Sequence, residues 1–136
     1  MKISFDFDGT LSTPEIQDIA RMFISSGADV WIVTARFHDD VLDHNGNKIG
    51  YLGHNYYIRE VAKYLGIPKE KIIYTCGHLK ADVYFKEKFN YHYDDMLEEV
   101  NAINEKGGNA FLVGATKQNI NLSLYDDFES YDDLKQ

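Results

Sequence analysis

The sequence has almost no cysteine: Cys76 is the only one among 136 residues. A disulfide within the chain is therefore impossible, and a zinc site built on several cysteines is disfavoured. No apolar stretch approaches the roughly 20 residues that a membrane-spanning helix needs. Asp6 also interrupts the apolar N-terminus too early for a signal peptide. From these absences we expect a cytoplasmic protein.

Positive charge is also scarce, since 14 Lys and Arg stand against 22 Asp and Glu and give a net charge of −8. A protein that held a polyanion by charge alone would be basic, so nucleic acid backbone is repelled on average. An acidic excess suits a divalent cation where carboxylates converge. Part of the excess lies in residues 115–136, which we interpret as a peripheral, solvated tail.

Strand and helix patterns alternate along the chain, whose length fits a single domain over residues 1–136. Apolar runs of strand type are followed by stripes of helical spacing. Thr13-Pro14-Glu15 is a helix start with a hydroxyl cap. The pattern predicts an α/β fold: a three-layer, Rossmann-like arrangement with about five parallel strands and helices on both faces. The predicted strands are 2–7, 30–33, 71–74, 91–93 and 110–113, and the predicted helices are 14–26, 58–65, 81–89 and 97–106.

One segment, residues 37–53, breaks this alternation. It is polar and holds Asn45-Gly46 between short apolar pairs, which is a hairpin signal. We expect a small hairpin or flap here, close to the end of the second strand.

Polar side chains follow four of the predicted strands at the point where each strand ends. In an open parallel sheet, ligands bind beyond the carboxyl ends of the strands. The chemistry that these groups fit is phosphoryl transfer: carboxylates can hold Mg²⁺ and attack phosphorus, while a hydroxyl and a lysine can hold phosphate oxygens. The residues concerned are Asp6, Asp8, Thr34, Arg36, Lys80, Asp94 and Asp95.

In this order, the residues resemble the four motifs of the haloacid dehalogenase-like (HAD) hydrolases. Asp6-Phe7-Asp8-Gly9-Thr10 matches the first motif, an acid-x-Asp-x-Thr run after the first strand. Thr34 matches the second, a hydroxyl that closes the second strand. Lys80 matches the third, a lysine at a helix start, and Asp94-Asp95 the fourth, an acidic pair after a strand. The resemblance covers roughly residues 1–113.

The resemblance implies a role for each matched position. Asp6 is implied to be the nucleophile and a metal ligand. Asp8 is implied to be the general acid/base, with its backbone carbonyl also on the metal. Asp94 would be the third ligand of Mg²⁺, with Asp95 as a neighbouring or alternative ligand.

The remaining matched positions are implied to hold phosphate. Thr34 and Lys80 would bind its oxygens, and the substrate would also contact Gly9 and Thr10. Lys86 and Lys88 compete with Lys80 for the lysine role, although both fall inside the predicted helix. Arg36 either clamps the substrate or points into solvent, and the sequence leaves both open.

The predicted fourth strand departs from the family pattern, because it reads Asn90-Tyr91-His92-Tyr93 where an apolar run is usual. Either the strand lies at a sheet edge or His92 has a polar partner. The five histidines show no ligand spacing on one element, so we interpret each as structural or surface.

The intervals between motifs leave no room for a large cap domain, so the resemblance implies a capless or minimal-cap phosphatase. The implied activity is Mg²⁺-dependent hydrolysis of a phosphate monoester through an aspartyl-phosphate on Asp6. A nucleotide, a nucleic acid end and a sugar phosphate are all open as substrates. The alternative is a non-catalytic, receiver-like domain that senses phosphate or metal. A degenerate interaction protein is disfavoured because no motif is broken, and the oligomeric state is open.

Overall fold

A computed structural model describes residues 1–47 and 55–114 of the chain. Strands and helices alternate in these residues, as the sequence predicted. The strands are β1 (Lys2–Phe5), β2 (Asp29–Thr34), β3 (Ile72–Tyr74), β4 (Tyr91–Asp94) and β5 (Ala110–Leu112). The helices are α1 (Pro14–Ser25), α2 (Tyr56–Leu65), α3 (Ala81–Lys86) and α4 (Leu97–Glu105), and short helical turns span Phe7–Leu11 and Lys69–Lys71.

The five strands form one sheet in the order β3-β2-β1-β4-β5, and every neighbouring pair is parallel. β1 lies at the centre, with Ser4 opposite Trp31 of β2 and opposite His92 of β4. β4 is therefore an interior strand, so an edge location does not explain its polar residues. The carboxyl ends of all five strands meet at one edge of the sheet.

Helices cover both faces of the sheet, which confirms the predicted layers. On one face, α1 and α2 pack over Ile3, Phe5 and Ile32 through a buried cluster that includes Ala20 and Ile58. Successive side chains of a strand point to opposite faces, so Ser4 and Val33 face the other side. There α3 and α4 contribute a second buried cluster. Its members include Val33, Ala81, Tyr84, Val100 and Ile103.

The helices differ in detail from the sequence prediction, most clearly at the start of α1 and at the end of α3. Thr13 precedes α1 as predicted, but its hydroxyl makes no cap to that helix and donates instead to the carbonyl of Thr10 at 2.7 Å. The prediction that this hydroxyl caps α1 was therefore wrong. α3 ends at Lys86 rather than Phe89, because Lys88 has a positive φ of 59° and turns the chain toward β4.

Only part of the predicted flap at residues 37–53 is described. Asp43 forms a tight turn there: its N–H donates to the carbonyl of Asn47 at 2.7 Å, and its side chain accepts from the N–H of Asn45. Residues 48–54, and with them the second arm of the hairpin, lie outside the described residues, as does the acidic tail at 115–136. None of the helices in the described ranges is long and apolar enough to cross a membrane.

Candidate phosphate and metal site

The centre of the site is Asp6, the first residue after β1. Its N–H donates to the carbonyl of Tyr93 at 2.9 Å, which continues the pairing with β4 by one residue. The chain then makes a wide turn, closed by hydrogen bonds from Leu11 and Ser12 back to the carbonyls of Asp6 and Phe7. This turn leaves the Asp6 side chain buried, 7% exposed, at the carboxyl edge of the sheet.

Lys80 spans the site from the start of α3. Its Nζ lies 2.7 Å from Oδ1 of Asp6 and 2.7 Å from Oδ2 of Asp94. Glu99 of α4 fixes the backbone of Lys80, because its Oε1 accepts the Lys80 N–H at 3.0 Å, and its Oε2 lies 3.6 Å from Nζ. The lysine is buried, yet the negative charges of Asp6 and Asp94 outweigh that burial and raise the pKa of Lys80. It is therefore a fixed positive charge.

The two competing lysines are placed elsewhere. Lys86 and Lys88 are both exposed, whereas Lys80 is 2% exposed. Of the three, the structure brings only Lys80 into contact with Asp6 and Asp94.

Asp94, the last residue of β4, is completely buried and already surrounded by donors. Oδ2 receives hydrogen bonds from Lys80 and lies 2.8 Å from Nε2 of His92, and Oδ1 accepts the N–H of Met96 at 3.0 Å. Burial opposes ionisation, but the His92 hydrogen bond and the Lys80 charge lower the pKa of Asp94 below its ordinary value. Asp94 is therefore a carboxylate whose two oxygens both take part in hydrogen bonds.

Asp95 is arranged differently from its neighbour. Oxygens of Asp6, Asp94 and Asp95 all lie within 4.8 Å of one another, yet Oδ1 of Asp95 is buried with no hydrogen-bond partner among the described residues. Burial raises the pKa of Asp95 and, more strongly, the pKa of Asp6, and the Asp94 charge adds to both shifts. Three carboxylates this close to one another fit a hard divalent cation such as Mg²⁺, which prefers oxygen ligands.

Gly9 allows this close approach. It has a positive φ of 74°, and a Cβ at this position would overlap the carboxylate of Asp95. Its N–H donates to Oγ of Ser12 at 3.1 Å. The neighbouring Thr10 is fully buried, and its hydroxyl donates to Oδ2 of Asp6 at 3.2 Å. Both residues thus shape the surroundings of Asp6, and their contact with a substrate stays a prediction.

Asp8 lies at the mouth of the site with its side chain 57% exposed. Arg36 binds the Asp8 carboxylate with two hydrogen bonds: Nε donates to Oδ2 at 2.8 Å, and Nη2 donates to Oδ1 at 2.6 Å. The hydrogen bonds of Asp8 raise the pKa of Arg36. Thr34, which is buried, accepts the Arg36 N–H on its Oγ1 at 3.2 Å. Arg36 therefore does not simply point into solvent, because it is the partner of Asp8.

Three residues of this network, Ser4, His92 and Glu99, were not identified as site residues from the sequence. Nδ1 of His92 lies 2.7 Å from Oγ of Ser4, and both residues are about 1% exposed. The polar partner predicted as one explanation for His92 is therefore present. The sequence did hold a signal for this contact. Ser4 lies two residues before Asp6, and His92 lies two residues before Asp94, so each of them shares a strand face with the acid that follows it.

Comparisons with protein-family models and with curated proteins gave no match to this chain. The likeness to HAD hydrolases accordingly rests on the residues described above.

Proposed function

We propose that this chain is a HAD-type, Mg²⁺-dependent phosphatase that hydrolyses a phosphate monoester. One observation carries the proposal: Lys80 joins Asp6 of the first strand to Asp94 of the fourth, with Asp95 in the same cluster. A fixed cation beside two carboxylates at the carboxyl edge of a parallel sheet suits the capture of a phosphate and its transfer to an aspartate.

In the proposed reaction, an oxygen of Asp6 attacks phosphorus while the bond from phosphorus to the ester oxygen breaks. Asp8 gives its proton to the departing oxygen. Water then attacks the aspartyl-phosphate, Asp8 takes the proton of that water, and phosphate leaves with Asp6 restored. Because Arg36 holds both Asp8 oxygens, one of these hydrogen bonds must open as Asp8 turns toward the ester oxygen.

Mg²⁺ would be held by a carboxylate oxygen of Asp6, the backbone carbonyl of Asp8 and one member of the Asp94-Asp95 pair. We assign that ligand to Asp95, because its Oδ1 has no partner within residues 1–47 and 55–114, whereas Asp94 already accepts three hydrogen bonds. The bound ion would offset the repulsion between the Asp6 carboxylate and the phosphate dianion. This assignment exchanges the roles expected for Asp94 and Asp95 from the family resemblance.

Substrate binding is assigned to groups around Asp6. Lys80 and the Thr34 hydroxyl would hold phosphate oxygens as negative charge spreads over them. Gly9 and Thr10 would contact the same phosphate, and Arg36 the rest of the substrate. A nucleotide, a nucleic acid end and a sugar phosphate remain the candidate substrates, and a cytoplasmic location is part of the proposal.

The test is a panel of these phosphate esters, incubated with the full chain and Mg²⁺ while released phosphate is measured. Asp6→Asn is the control, because it keeps the shape of the side chain and removes the nucleophile. The proposal predicts turnover by the wild type and none by the control. Equal phosphate release from both proteins would reject it. A phosphate that stays on Asp6 without turnover would favour the receiver-like alternative.

A further inference from the structure

The pair formed by Ser4 and His92 is unusual for its position. Their Cα atoms are register partners in the adjacent strands β1 and β4, and both side chains are buried on the face that α3 and α4 cover. The other residues packed there include Val33, Val100 and Ile103. Burying a hydroxyl and an imidazole among such residues costs free energy unless each polar atom has a partner.

Each polar atom of the imidazole does have a partner. Nδ1 meets the Ser4 hydroxyl at 2.7 Å, and Nε2 meets Oδ2 of Asp94 at 2.8 Å. The Lys80 ammonium lies 2.7 Å from the same Oδ2, which favours the carboxylate form of Asp94. A carboxylate only accepts hydrogen bonds, so the donor in the contact with His92 is the Nε2–H of the imidazole. The chain of contacts therefore runs from Ser4 through His92 to Asp94, and from there to Lys80 and Asp6.

The contact with His92 matters because the same oxygen of Asp94 also accepts a hydrogen bond from Lys80. Oδ2 is shared between His92 Nε2 and Lys80 Nζ, while Oδ1 is held by the Met96 N–H. With three donors around it, the Asp94 carboxylate has a fixed orientation. Lys80 is in turn held at 2.7 Å from both carboxylates, which is the position from which it would meet a phosphate bound at Asp6.

We propose that His92, supported by Ser4, is a positioning residue that orients the Asp94 carboxylate. Through Asp94 it holds Nζ of Lys80 within hydrogen-bond distance of Asp6. The inference rests on the proposed phosphatase activity for its effect on rate, but its structural part stands without it. The proposal differs from simple core packing, because it requires a side-chain N–H at the Nε2 position and not merely a ring of the right volume.

The experiment compares three variants of the full chain. The double variant Ser4→Ala with His92→Phe removes both polar groups together, so that no hydroxyl is left unpaired in the core. His92→Gln restores a side-chain N–H donor. Ile103→Val is the matched control, since it alters a fully buried residue on the same face that is not part of the hydrogen-bond chain.

Two quantities are measured for each variant. The first is the rate at which the Lys80 ammonium protons exchange with water, followed by nitrogen-15 NMR, which needs no substrate. The second is the pair kcat and KM at saturating Mg²⁺ on an ester that the wild type hydrolyses. A misplaced catalytic group lowers the rate of the chemical step, whereas a general loss of packing does not act on kcat alone.

The proposal predicts that the double variant exchanges the Lys80 protons faster and that its kcat falls by about 10- to 100-fold while KM changes little. His92→Gln should recover most of both quantities, and Ile103→Val should match the wild type. Wild-type exchange and kcat in the double variant would overturn the proposal, as would a His92→Gln protein no better than the double variant.

Two further results also decide the matter. If the wild type hydrolyses no ester, the proposed function fails, but faster Lys80 exchange in the double variant would still support the positioning role and unchanged exchange would overturn it. If the double variant does not fold, Ser4→Ala alone replaces it, with a smaller change in the same direction expected and no change contradicting the proposal.

Discussion

Nζ of Lys80 lies 2.7 Å from Oδ1 of Asp6, and the two side chains are 3% and 7% exposed. The residues are 74 positions apart in the sequence, and the parallel sheet brings them together at its carboxyl edge. An ion pair with this little water around it is coupled to both the stability of the fold and the chemistry of the site.

Removing the positive charge should therefore destabilise the protein strongly. Lys80→Met leaves Asp6, Asp94 and Glu99 facing one another without a cation. We expect a loss of about 3–5 kcal/mol in the free energy of unfolding, the range found when one partner of a buried ion pair is removed. Urea denaturation at neutral pH measures it.

The exposed Lys86 provides the control for this prediction. Lys86→Met should change the free energy of unfolding by less than about 0.5 kcal/mol, as surface substitutions usually do. Similar losses for the two variants would show that the lysine charge at the site does not have the structural role assigned to it.

The metal-free protein should become less stable as pH rises from mild acid. Burial raises the pKa of Asp6 and Asp95 above the ordinary value. Above about pH 5, carboxyls with a lowered pKa, such as Asp94, are ionised in both the folded and the unfolded chain. Asp6 and Asp95 lose their protons at higher pH in the folded chain than in the unfolded chain, so the free energy of unfolding falls as pH rises further. Thermal unfolding in chelator at a series of pH values measures the effect.

Mg²⁺ should reverse this loss at the alkaline end of the series, because it binds the ionised carboxylates. At a concentration a hundredfold above its Kd, a ligand that binds only the folded state adds about 2.7 kcal/mol. Asp6→Asn should flatten the pH dependence and reduce the response to Mg²⁺. Stability that rises with pH in chelator above about pH 5 would contradict the assignment.

The two neighbouring acids should differ in their effect on metal affinity. Oδ1 of Asp95 has no hydrogen-bond partner in the part of the chain that the structure describes, whereas Asp94 is held by Lys80, His92 and Met96. Asp95→Asn should therefore weaken Mg²⁺ binding in calorimetry by more than about tenfold, because even the loss of a residue that only supports a ligand costs about 10- to 100-fold in metal affinity.

Asp94→Asn should instead lower stability, because it removes the carboxylate between Lys80 and His92, and its effect on Mg²⁺ affinity should be smaller than that of Asp95→Asn. The reverse order of affinities would return the ligand role to Asp94, as the family resemblance first implied.

Much of the fold and the general location of the site could be predicted from the sequence. Alternating strand and helix patterns indicate a parallel sheet, and such a sheet gathers the residues that follow its strands at one edge. That rule alone placed Asp6, Thr34 and Asp94 near one another. The predicted helix over residues 81–89 also favoured Lys80 over Lys86, because Lys86 lies inside that helix, where a solvated side chain is the default.

The finer arrangement depends on long-range contacts that a single sequence does not encode locally. The pairing of Ser4 with His92 follows from strand register, and the placement of β4 inside the sheet follows from strand order. The sequence could not decide whether Arg36 contacts the substrate or points into solvent, because its partner Asp8 lies 28 residues away.

In the proposed reaction, Asp6 takes a phosphoryl group from the substrate and then gives it to water. The most direct measurement is mass spectrometry of the full chain, stopped with acid during turnover of an ester in Mg²⁺. We expect a mass gain of one phosphoryl group, mapped to Asp6 and absent from Asp6→Asn, that disappears once the substrate is consumed. Hydrolysis of the ester with no phosphate on Asp6, or with equal rates in Asp6→Asn, would contradict it.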